Sequence, residues 1–346
     1  MESKKLISEL DKPIFLAGMA GGITTPDLVA SVCNEGGFGQ IGAGYMTPDA
    51  LAKDIDQIRQ MTTEPFGVNL FVPEYPAIDH EKVDFMNKIL HPITEKLNSK
   101  QIQDVSIDVN FEDMLNVIID KHVEYVSFTF GKPSESLVRK LHGHHINVIG
   151  TATDLNEAQA LESIGIDAIV IQGSEAGGHR GSFDQSLPEN RLTTEQLFNQ
   201  TYPLINVPLI VAGGITTPEL AKRYIQKGAH AVQLGTAFLT THESGAPDVH
   251  KAHILKAHPD DIILTNTFSG RYANGIINPF IQYMEQFKDD ICPYPIQNIL
   301  TQPLRGQSKK LNNPDYMNLW CGTNPEGAKD ESVQELMERY HKAIKS

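Results

Sequence analysis

Basic residues are in short supply: 29 Lys and Arg stand against 43 Asp and Glu in 346 residues, a formal net charge of −14. That balance repels polyanions, so neither nucleic acid nor an acidic membrane surface is an expected partner, and a small molecule is. Cysteine is scarcer still. Cys33, Cys292 and Cys321 lie far apart with no CxxC, which excludes a disulfide framework and suits a reducing cytoplasm. No apolar run approaches membrane-spanning length, and the opening MESKKLISELDKPIF carries charges where a secretory signal needs an apolar core. A cytoplasmic protein is expected. HExxH, GxxxxGK[ST] and GxSxG are all missing, and with them the usual marks of zinc peptidases, P-loop nucleotidases and serine hydrolases. The histidines of LHGHH (Leu141 to His145), and His250 and His253 on an exposed-looking helix, lack a matching carboxylate or cysteine set. They read as solvated surface, and no metal is expected.

What the chain does have is a sentence used twice: GGITTPDL from Gly21 and GGITTPEL from Gly213. Each copy follows a short apolar run and opens a helix. Thr25 and Thr217 suit the capping position, and Pro26 and Pro218 suit the first helical one, where no amide hydrogen is needed. Gly36 and Gly228 stand where each helix should stop. A third unit, NVIGTATDLNEAQALESIGIDAIVIQG, repeats the plan with Asp154 and Glu157 as a capping box and Gly165 as the stop. Strands are predicted near 14–18, 38–42, 66–71, 124–130, 146–150, 168–172, 208–212 and 231–235. Eight strands alternating with helices predict an α/β fold, a (β/α)8 TIM barrel. The barrel is expected over 1–244, with a helical insertion at 73–116 after strand three. Residues 245–346 are expected to form a mainly helical extension covering part of the barrel mouth.

Barrels often hold a phosphate on the loops after strands seven and eight. Here those loops carry Gly213-Gly214 and Gln233, Leu234, Gly235 and Thr236, with amides free of bulky side chains and one hydroxyl. The first copy, beside strand eight on the ring, is placed to line the flat part of the same ligand. The literal GxGxxG of Gly37 to Gly42 follows a helix stop and reads as strand two, not as a dinucleotide fingerprint. After strand six comes IQGSEAGGHRG, Ile171 to Gly181. Gln172 can donate to and accept from a heterocycle edge, Gly177 and Gly178 allow close approach, and His179 sits on a glycine-rich loop at the active end, an acid or base candidate. Asn69 breaks the apolar run of strand three and is either a satisfied buried amide or a ligand contact. Arg271 either closes the site or makes a structural ion pair.

In order and spacing, MAGGITTP, GGFGQIGAG, GVNLFVP, SFTFGKP, IQGSEAGGHRG, VAGGI, QLGT and TFSGRYANGIIN make the chain resemble the nitronate monooxygenase family over nearly its whole length. The resemblance implies an FMN-dependent barrel that oxidises alkyl nitronates with O2 to a carbonyl compound and nitrite, in a detoxifying role, as a monomer or homodimer. It implies FMN contacts at Asn69, Gln172, Gly177, Gly214 and Gln233 through Thr236, and a flavin ring lined by Ala17, Gly18 and Met19. His179 matches the catalytic histidine, as base toward a neutral nitroalkane or as an orienting group toward a nitronate. Flavin-dependent enoyl-acyl-carrier-protein reductases and NAD(P)H:quinone reductases share the barrel and stay open as alternatives, as does a non-catalytic FMN-binding module.

Overall fold

The structure is a computed structural model and describes residues 10–108, 110–185 and 191–346, so the charged opening stretch lies mostly outside it. Numbered in chain order, the strands are β1 (Ile14–Leu16), β2 (Gln40–Gly42), β3 (Gly67–Phe71), β4 (Tyr125–Thr129), β5 (Asn147–Ala152), β6 (Ala168–Gln172), β7 (Gly178–His179), β8 (Leu209–Ala212) and β9 (Ala231–Leu234). All but β7 pair in parallel in the order β1-β9-β8-β6-β5-β4-β3-β2, and a parallel bridge from Phe15 to Phe38 draws β1 toward the β2 edge. This is the predicted (β/α)8 barrel. Alternation along each strand divides the core in two. Ile14, Leu16, Ile169 and Ile171 face the helices, whereas Phe15, Phe38, Val170, Ile210 and Ala231 fill the barrel. The interior is therefore packed, and a ligand must sit above it at the strands' C-terminal ends.

The doubled sentence does the same local job in both places. Thr25 accepts from the Leu28 amide and Thr217 from the Leu220 amide, and Gly36 and Gly228 end the turns at φ of +80° and +103°. The neighbouring threonines differ. Thr24 donates to the Met19 carbonyl and accepts from the Gly42 amide, clasping the β1 loop inside the barrel. Thr216 instead donates to Asn324, far along the chain. In the third unit Asp154 caps the Glu157 amide as expected, but the Glu157 carboxylate reaches the Thr153 and Phe183 amides and not its own cap, tying β5 to the loop after β6.

Residues 73–116, expected as one insertion, divide in two. Helix Phe111–Asp120 buries Met114, Leu115 and Ile118 in the barrel's own core, as the helix following β3. Helix His80–Leu97 joins a separate apolar cluster, where Val83 and Met86 meet Phe280, Leu300 and Leu304 of the C-terminal stretch. That stretch is mainly helical but also holds two short strands. It carries β10 (Ile262–Thr265) and β11 (Ala273–Ile276), antiparallel to each other, and β11 pairs with β7. Its helix Ile296–Lys310 stands at the mouth, while Val333–Lys345 packs Leu336, Met337 and Tyr340 against the barrel's outer wall.

Candidate active site

A cavity of about 480 Å³ opens at the C-terminal ends of the strands, a size suited to a cofactor or a drug-sized ligand. Of the residues singled out in the sequence, Ala17, Gly18, Met19, Asn69, Gln172, Gly177, Gly178, His179, Gln233, Gly235 and Thr236 line it. Gly213, Gly214 and Leu234 do not. Leu234 turns its side chain into the barrel wall and offers only its carbonyl, to the Ala17 amide at 2.9 Å. The Gly213 carbonyl accepts from Thr194 and the Gly214 carbonyl from Asn324, at φ values of +121° and +64° that glycine tolerates.

Strand register brings the carboxamides together. Asn69 pairs with Ser127, and Gln233 lies beside Ala212, itself beside Gln172. Asn69 Nδ2 donates to Ser127 Oγ at 2.8 Å, Ser127 Oγ to Gln40 Oε1 at 2.7 Å, and Gln40 Nε2 to Gln233 Oε1 at 3.1 Å. Gln172 takes a different part. Its Nε2 donates to the His179 carbonyl and its Oε1 accepts from the Gly181 amide, so it latches the histidine loop onto β6.

His179 is half-buried in strand β7, with Phe130, Trp320 and Tyr294 around its ring at centroid distances of 5.7, 5.4 and 6.4 Å. Its Nε2 lies 2.8 Å from Ser269 Oγ. Because that hydroxyl donates to the Arg271 carbonyl, its lone pairs face His179 and the Arg271 amide. Nε2 therefore carries the proton and Nδ1 keeps its lone pair. Burial, and then the charges of Arg271 and Arg305, push the His179 pKa down from 6.5 to about 3. The imidazole is neutral at any ordinary working pH.

Arg271 is 1% exposed, pairs with Glu74, donates to the Ser182 carbonyl and lies 4.2 Å above the Phe130 ring. It stands behind the histidine as a structural ion pair and does not close the cavity. His250, expected on a solvated surface, is 4% exposed and lines the cavity, its Nε2 donating to the Trp320 carbonyl. The apolar side of a seven-residue helix, Asp248–Ile254, carries it inward, which so short a segment does not announce. Its pKa falls to about 4, chiefly through burial. Among the described residues no group of three His, Cys, Asp or Glu side chains could hold a metal.

These two depressed histidines carry a linked prediction. Below about pH 6.5 the unfolded chain binds protons that the native one refuses until about pH 4 at His250 and about pH 3 at His179. Stability should therefore be full above pH 6.5 and fall as pH drops toward 3. Denaturant midpoints at pH 7 and pH 4.5 check this, and His250→Gln should flatten the loss; an unchanged slope would count against it.

Other residues at the site escaped sequence reasoning. Gln40 sits in a glycine-rich strand, a polar residue in an apolar run, the same signal that exposed Asn69. Along helix Ile296–Lys310, Asn298, Gln302, Arg305 and Lys309 recur three or four residues apart and all line the cavity. Arg305 is half-buried, bonded to Thr301 and Asn298, and among the described residues no carboxylate pairs with it.

Comparison with known proteins agrees with this geometry. The family model described as nitronate monooxygenase matches residues 3–342. A probable nitronate monooxygenase of Staphylococcus haemolyticus is 41% identical over 96% of this chain and 94% of its own length. One from Staphylococcus saprophyticus is 42% identical over 94% and 92%. Among solved structures, the nitroalkane oxidase from Streptomyces ansochromogenes superposes with a TM-score of 0.92 at 33% identity, covering 99% of this chain and 98% of that one. FabK from Thermotoga maritima superposes at 0.77 with 27% identity over 98% and 94%. Among the described residues no helix is long and apolar enough to cross a membrane. The chain belongs to the nitronate monooxygenase family and is a flavin-dependent oxidoreductase.

Proposed function

We propose that this protein binds FMN in the barrel mouth and oxidises small alkyl nitronates with O2, releasing a carbonyl compound and nitrite. The donor set fits a flavin: Asn69, Gln40 and Gln233 offer an edge of mixed donors and acceptors, and Ala17 to Met19 offer a small-residue wall for a flat ring. Gly235 and Thr236, after β9, line the cavity at the end where barrels seat a single phosphate, which favours the mononucleotide; Gly213 and Gly214, after β8, do not reach it. Gly177, where a Cβ would come within 2.5 Å of the Gly322 amide, lets the C-terminal stretch close tightly over that end. Bound flavin supplies the electron acceptor.

The protein's own groups select the substrate. The observation that carries the reading is a neutral His179 on the wall of a cavity that Arg305 also lines, with no carboxylate partner for Arg305 among the described residues. A base whose conjugate acid has a pKa of about 3 is poorly matched to a carbon acid, so the ready substrate is the preformed anion. Arg305 and Lys309 attract that anion. The aromatic rings of Phe130 and Trp320 flank His179 and limit water there. The test is oxygen uptake by flavin-loaded protein given an alkyl nitronate without NAD(P)H. Uptake with nitrite release is expected. Its absence from a fully loaded sample would overturn the reading and turn attention to NAD(P)H with an enoyl thioester or a quinone. Release of the cofactor by denaturation, followed by chromatography, separates FMN from the dinucleotide.

A further inference from the structure

We propose that Gln40 sets the hydrogen-bonding polarity of the whole barrel mouth, and through it which atoms of Asn69 and Gln233 meet the flavin. The starting point is a backbone carbonyl. Leu16 O can only accept, and it receives Gln40 Nε2 at 2.9 Å. Gln40 is 3% exposed, so turning its amide over would set Oε1 against that carbonyl with no water to relieve the clash of lone pairs.

Every other orientation follows by elimination. With its nitrogen toward Leu16 O, Gln40 meets Gln233 at 3.1 Å as a donor, so Gln233 must present Oε1 to it. The Gln40 oxygen must accept, and Ser127 Oγ donates to it at 2.7 Å. A hydroxyl has one proton, now spent, so Asn69 must donate to Ser127 Oγ. Its Nδ2 does so at 2.8 Å and also reaches Thr129 Oγ1 at 3.1 Å. Two atoms take no part in this relay: Asn69 Oδ1 and Gln233 Nε2. Both residues line the cavity, so the mouth offers one carbonyl acceptor and one amide donor of defined position. That pair suits an edge that alternates donor and acceptor, as the pyrimidine-dione edge of a flavin does. The inference rests on the reading that flavin occupies this cavity, and makes Gln40 a positioning residue within it.

Gln40→Glu tests it, because the shape is kept while the donor is lost. Leu16 O and Gln233 Oε1 then lack their partner, and the Gln233 amide is free to turn. Ser127→Ala cuts the same relay one link away with a smaller change. Flavin affinity is read by fluorescence quenching, the midpoint potential on saturated protein, and folding by the apoprotein's denaturant midpoint. In folded protein, each variant is expected to weaken flavin binding tenfold or more. Gln40→Glu should also move the potential to more negative values, since it frees the Gln233 donor whose aim at the ring favours the reduced, more negative form. Asn69→Asp keeps the atom offered to the ligand and should cost less affinity than Gln233→Glu, which replaces the donor. Wild-type affinity and potential in both folded relay variants would overturn the proposal. A wild-type chain that takes up no flavin would overturn the flavin reading instead. The polarity would then be read from amide exchange in the apoprotein, where a rapidly exchanging Gln40 side-chain NH2 would overturn it.

Discussion

Replacing His179 by asparagine is expected to slow turnover of a neutral nitroalkane by about 10²-fold, the low end of a positioned base's contribution, since its pKa near 3 matches a carbon acid poorly. The loss on the corresponding preformed nitronate should be smaller. The asymmetry follows from the proton inventory. Nε2–H is committed to Ser269, so Nδ1 is the atom able to receive a proton from carbon. A nitronate has already lost that proton. Because burial and the two guanidinium charges hold the His179 pKa near 3, wild-type turnover of the neutral substrate should itself be slow beside that of the anion. Steady-state kinetics on both substrates, at matched flavin content, decides this. Unchanged turnover of the neutral form would remove the base role. Equal losses on both would place the action of His179 on the nitronate itself.

The second large effect is on stability. Glu74→Ala is expected to cost about 3 kcal/mol, because it leaves a buried guanidinium without its counter-charge. Arg271 would keep the Ser182 carbonyl and the faces of Phe130 and Tyr294, but no opposite charge. Glu74 also accepts from Gln185, so a second link goes with it. Arg271→Met removes the charge together with its need for a partner and should cost less. It should also raise the His179 pKa, since the Arg271 charge is the largest cause of the depression after burial. Denaturant unfolding of the two variants, with a histidine titration of the second, checks both statements. An Arg271→Met protein less stable than Glu74→Ala would contradict the assignment of the buried charge as the costly element.

The barrel was legible because its signals are local. The strand predicted at 168–172 is Ala168–Gln172, and that predicted at 231–235 is Ala231–Leu234. Alternating apolar residues, threonine caps and glycine stops act within one turn or one pleat, so they can be read in order along the chain. The part of the cavity built by strand ends was legible for the same reason: residues at strand C-termini must meet at the mouth once the barrel closes. Gln172 shows where that reasoning ends. Its place at the mouth followed from the sequence, but its hold on the His179 loop did not, since Gly181 returns to it only through the pairing of β7 with β11.

Sequence by itself thus determined the eight-stranded barrel, the end at which its cavity opens and one histidine that lines it. Tertiary structure decided the rest. It joined Gln40 to Gln233, Arg271 to Glu74 and His250 to Trp320, and it turned Arg305 toward the cavity. The physical reason is common to all of these. Each depends on two groups far apart in the chain being buried together, where an amide must find its complement and a charge its counter-charge. No local pattern records which distant partner will supply it.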